Sequence, residues 1–78
     1  MHTGPIKVGQ RFEWCPYGSD GWPHAWQAIE VTRIKYGDDD GFTETDQAGE
    51  EALIESRGRR GQLAWNEESR FREAVKAV

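Results

Sequence analysis

Ile6, Val8, Phe12 and Trp14 fall on alternate positions, with Lys7, Gly9, Arg11 and Glu13 between them. A period of two sends successive side chains to opposite faces of an extended chain, so the pattern predicts a first strand over Lys7–Cys15. Gln10 interrupts its apolar face. Residues Cys15–Pro23 are dense in Pro, Gly, Ser and Asp and predict a long loop that also carries Tyr17 and Trp22.

From Trp26 to Tyr36 the apolar positions change phase: Ile29 and Val31 alternate, whereas Trp26, Ile34 and Tyr36 belong to the opposite set. Helical spacing of Trp26, Ile29 and Arg33 is the competing reading. The β-branched Val31, Thr32 and Ile34 favour a strand, bent by a bulge near Thr32-Arg33 that reconciles the two phases.

Gly37–Gly41 predicts a turn, and the polar stretch Phe42–Glu50 an irregular segment. Ala52–Arg57 reads as a strand, Gly58-Arg59-Arg60-Gly61 as a hairpin turn, and Gln62–Trp65 as the returning strand with Leu63 and Trp65 on one face. Asn66 as N-cap, acidic Glu67 and Glu68, and the spacing of Phe71, Val75 and Val78 predict a helix over Asn66–Ala77, with Glu68 and Arg72 placed for an i,i+4 ion pair.

These elements describe a mostly β (α+β) domain: a small barrel of four to five antiparallel strands with a C-terminal helix. Seventy-eight residues allow a single domain spanning 1–78. A chain this short must fill its core with large side chains. Four Trp, three Phe and two Tyr are available, and Trp14 and Trp26 are the expected core rings.

The lone cysteine, Cys15, excludes an internal disulfide framework. It is expected to lie half-buried at a strand end. No apolar run approaches the ~18 residues of a membrane span. No signal-peptide pattern opens the chain, so the cytoplasm is the expected location.

The net charge of −4 is unevenly spread: Asp38–Glu51 holds seven acids and no base, leaving the remainder at +3. An acidic whole argues against broad nucleic-acid binding, while a local basic patch stays open.

Catalytic chemistry has little support. Cys15 and His24, with Asp20 between them, are the sole thiol–imidazole candidate, and no catalytic residue is assigned. Cys15, His2 and His24 lack paired metal-ligand spacing. Asp38-Asp39-Asp40-Gly41 fails the calcium-loop pattern, because Phe42 falls where an acid is required. No phosphate-binding glycine motif occurs. No cofactor or metal is expected.

Three surface features remain. The aromatic loop offers Tyr17, Trp22 and His24 as partner-binding anchors, since rigid rings with a polar handle give contact area at low entropic cost. The hairpin arginines Arg57, Arg59 and Arg60, joined across the sheet by Arg33 and Lys35, suit phosphates or carboxylates. The acidic stretch could instead act as a decoy toward a basic partner.

The segments Lys7-Val8-Gly9-Gln10-Arg11-Phe12 and Trp26 to Ile34, with a VGQRF opening and a W-x-x-I-x-V-x-x-I second strand, resemble small SH3-like β-barrel proteins of actinobacteria and their phages. The resemblance covers most of the chain and implies the barrel fold. It transfers no site, and the acidic-aromatic ALYDY segment of proline-peptide-binding SH3 domains is missing. The expectation is a non-catalytic protein-binding module, such as a phage or bacterial modulator of a host protein. Nucleic-acid binding through the arginine hairpin is the alternative, and an exposed edge strand leaves homodimerisation open.

Overall fold

A computed structural model describes residues 2–15, 26–38 and 41–77. Tyr17, Trp22 and His24, and with them the aromatic-loop expectation, lie outside the described residues.

Six strands form one antiparallel sheet: β1 (Arg11–Trp14), β2 (Gln27–Asp38), β3 (Gly41–Thr45), β4 (Leu53–Gly58), β5 (Leu63–Glu67) and β6 (Val75–Ala77), with helix α1 (Glu68–Ala74) between the last two. The order across the sheet is β5-β4-β2-β1-β6, and β3 also pairs with β2. The twelve-residue β2 organises everything. Its first half pairs with β1, its second half with β3, and β4 runs along its other side. The ladder ends at β5 and β6, so among the described residues it is an open sheet of mostly β architecture with a short C-terminal helix.

The predicted bulge is present. The β2–β4 register shifts between Val31 and Arg33, leaving Thr32 as the extra residue. Its hydroxyl donates to the Glu55 carbonyl (3.2 Å) and carboxylate (2.8 Å). Ile29 and Val31 before the bulge, and Ile34 after it, all reach the core. Phe12, Ile54, Phe71, Val75 and Ile6 complete that core.

Several expectations need correction. The first strand does not run from Lys7. Gly9 adopts φ +90°, and the Lys7 amide donates to the Gln10 side chain, so a tight turn precedes β1. Val8 is consequently exposed, while Ile6 stays buried. Residues 41–45 are a strand rather than irregular chain. The β-branched Thr43 and Thr45 suit it, and β2 is long enough to template it.

The helix is seven residues long, not Asn66–Ala77. Asn66 is a strand residue opposite Ile54, and the N-cap is Glu67, without a side-chain cap bond. Val75–Ala77 leaves the helix to pair with β1, where Val75 is fully buried. A β-branched residue facing an unfilled sheet edge gains ladder bonds and core burial that a continued helix would forgo. The predicted Glu68–Arg72 ion pair does form.

Trp14 and Trp26 are half-buried rather than core residues. Trp14 packs on the rim of the core beside Phe71, and Trp26 lies beneath the Lys76 ammonium at 4.5 Å. Cys15 is fully buried rather than half-buried. No helix among the described residues is long and apolar enough to cross a membrane.

Candidate functional site on the outer sheet face

Alternation along β2, β4 and β5 gives the sheet a second face, opposite the core. After the bulge, Arg33 and Lys35 project there from β2. Cross-strand register aligns Arg33 with Glu55 of β4, and Glu55 in turn with Trp65 of β5. On the other side of β2, Lys35 pairs with Glu44 and Gly37 with Phe42 of β3.

The side chains close this register into a cluster. The Lys35 ammonium lies 3.9 Å from the centroid of Phe42 and 4.2 Å from that of Trp65, while the Arg33 guanidinium lies 5.5 Å from Trp65. A cation over an aromatic face is held by the ring quadrupole, by about 0.5–1 kcal/mol at an exposed site. Together they form a band of alternating rings and cations across β3, β2 and β5.

Gly37 permits this arrangement. A Cβ at that position would meet Phe42 Cε1 at 2.8 Å, so the ring lies over bare backbone. Beneath Trp65, Glu55 is only 6% exposed and its carboxylate accepts the Thr32 hydroxyl. A buried carboxylate held by a neutral donor fixes the floor of the cluster.

Electrostatically the band is close to balanced. Arg33 donates to Glu44 at 2.7 Å, and this hydrogen bond, followed by the Glu44 charge, raises the Arg33 pKa above its ordinary value. Arg57 pairs with Glu30 at 2.7 Å. Lys35 makes no ion pair among the described residues.

The band is nevertheless apolar at its surface: Phe42 is 64% exposed, Leu63 58% and Trp65 37%. Those values identify them as surface rings and chains rather than edges of the core.

The sequence-predicted arginine site is divided. Arg57 is consumed by Glu30 on the outer face. Arg59 and Arg60 instead line a groove with Trp26, Gln27, Ala28 and Gln62 at the hairpin end, and they make no ion pair among the described residues. Arg33 and Lys35 join the aromatic band rather than the hairpin. The acidic stretch contributes Glu44 as the partner of Arg33.

Sequence reasoning missed Phe42 and the role of Lys35. The usable signal was the run Phe42-Thr43-Glu44-Thr45, whose alternation after an acidic turn is that of a strand exposing one ring. No set of three or more His, Cys, Asp or Glu side chains is arranged to hold a metal ion among the described residues. Comparison with known proteins finds no matching family model, no matching curated protein and no matching solved structure.

Proposed function

We propose that this chain is a non-catalytic protein-binding module that docks through its outer sheet face. The observation carrying this reading is the exposure of Phe42, Leu63 and Trp65 on one face, with Lys35 and Arg33 held against the rings. Interface centres combine aromatic anchors with arginine, and most of the binding energy comes from a few such residues. The ion-paired rim of Arg33–Glu44 and Arg57–Glu30 supplies orientation.

The partner that fits is a protein segment presenting apolar side chains beside a carboxylate, which would pair with Lys35. Under the same reading, the bent sheet is the wall of an SH3-like barrel, and this face is its exterior.

Trp65→Ala is expected to weaken partner capture by roughly 30-fold or more, since an anchor of this kind contributes ~2 kcal/mol or more. The thermal midpoint should stay close to that of the parent. Affinity measured by calorimetry against a captured partner tests this. Unchanged affinity in both Trp65→Ala and Phe42→Ala would remove the outer face from consideration.

A second reading rests on Arg59 and Arg60, which line a groove with Trp26 and make no ion pair among the described residues. Single-stranded nucleic acid could set a phosphate on the guanidiniums and a base on the ring. It requires oligonucleotide affinity that falls steeply between 50 and 200 mM salt, on the order of tenfold for two phosphate contacts or fewer. Absence of binding at low ionic strength would eliminate it.

A further inference from the structure

We propose that β5 is a self-pairing edge, and that two copies of this chain join there into one continuous sheet. Three observations converge on this strand.

The first is its unfinished backbone. The Gly58 amide donates to the Gln62 carbonyl at 2.9 Å and the Glu68 amide to the Ala52 carbonyl at 2.8 Å. Those two bonds fix the phase of the β4–β5 ladder, so Ala64 and Asn66, opposite Ser56 and Ile54, point their backbone groups at β4. Leu63, Trp65 and Glu67 therefore aim their N–H and C=O groups away from β4, where β5 has no neighbouring strand among the described residues.

The second is exposure. Leu63, Ala64, Trp65 and Glu67 are exposed and Asn66 is half-buried, so most of the strand is uncovered by the described residues. Within Leu63–Glu67 there is no Pro, Lys or bulge of the kind that blunts an edge.

The third is charge. The hairpin before β5 carries Arg59 and Arg60, whereas Glu67 and Glu68, at the far end of β5, share a pocket with Glu50 and Glu51. Antiparallel pairing about a two-fold axis at Trp65 sets Leu63 of each copy against Glu67 of the other. It thereby brings each basic hairpin to the acidic end of its partner, twice. A parallel pairing would set like charges together.

In this arrangement the three outward residues of each copy form three bonding pairs, and the two outer faces merge with Trp65 at the junction. Self-pairing uses the edge of β5, whereas docking uses the outer face, so either can fail alone.

The test is sedimentation velocity of the full chain over a concentration series, with a dimer expected for the parent. Leu63→Pro removes an outward N–H without touching the ladder to β4. It is expected to raise the dimer dissociation constant roughly 10- to 100-fold while circular dichroism stays unchanged. Arg59→Glu/Arg60→Glu should weaken self-association likewise, and mixing it with Glu67→Arg should restore a heterodimer. A parent that remains monomeric at the highest concentration overturns the proposal. So does a folded Leu63→Pro variant that dimerises as tightly as the parent. Should Leu63→Pro unfold, the Arg59→Glu/Arg60→Glu and Glu67→Arg mixture decides: no heterodimer refutes the pairing.

Discussion

Phe71→Ala should leave the chain unfolded or nearly so at 37 °C. Phe71 is fully buried, with Phe12 edge-on at 5.6 Å and Trp14 tilted against it at 5.8 Å. It is the one large side chain by which α1 reaches the core, Ala74 being its other buried residue. Truncating a buried Phe removes about 3–5 kcal/mol, part from lost transfer energy and part from the cavity left behind. A folded unit of 78 residues typically has a total stability of roughly 4–12 kcal/mol. Thermal melting followed by circular dichroism should show either a large drop in midpoint or no cooperative transition. A midpoint within a few degrees of the parent would mean that α1 is not part of the cooperative unit.

Arg72→Ala should be the next most damaging change, through a different mechanism. The Arg72 guanidinium donates to the carbonyls of His2 (3.0 Å) and Gly4 (2.7 Å) and pairs with Glu68. The His2 amide returns a bond to the Arg72 carbonyl at 3.0 Å, and the His2 ring packs edge-on against Phe12. This clamp positions the segment that delivers Ile6 to the core.

Hydrogen bonds to a charged group contribute about 1.5–3 kcal/mol each, and truncation also leaves the Glu68 carboxylate, 14% exposed, without its cation. The expected loss is about 2–4 kcal/mol in urea denaturation, with exchange of the His2 amide accelerated ahead of global unfolding. Arg72→Lys should recover only part of it, because an ammonium cannot span two carbonyls and a carboxylate with the same planar geometry.

Legibility from sequence followed the range of the interactions involved. The bulge at Thr32 was readable because the phase change between Val31 and Ile34 is a local signal of face alternation. The Gly58–Gly61 hairpin and the Glu68–Arg72 pair were readable for the same reason, each lying within five residues. The helix was overdrawn because Val75 satisfies two patterns. Its spacing from Phe71 is helical, yet β1, some sixty residues away in sequence, offers it an edge. No local rule ranks those two outcomes.

Phe42 was overlooked on similar grounds. Its placement depends on Gly37 leaving bare backbone beneath the ring and on Lys35 lying between it and Trp65, and Trp65 belongs to a different hairpin. Surface sites assembled from three strands carry no signature in any one of them. The opposite error occurred with Arg57, Arg59 and Arg60. Nearness in sequence suggested one patch, and strand alternation with a Glu30 partner separated them.

The extra residue in β2 has a consequence for parity. Up to Val31, odd-numbered residues of this strand face the interior; from Arg33 onward, odd-numbered residues face out. Thr32 is the point of inversion. The interior face thus keeps Ile29, Val31 and Ile34, while two cations two residues apart are delivered to the exterior. The bulge thus absorbs one residue without disturbing the facing on either side of it. Deleting Thr32 would join Val31 to Arg33 in regular alternation and leave Ile34 inward and Lys35 outward, at the loss of the hydroxyl bonds to Glu55, whereas inserting a residue between Arg33 and Ile34 would send Lys35 inward and Ile34 outward.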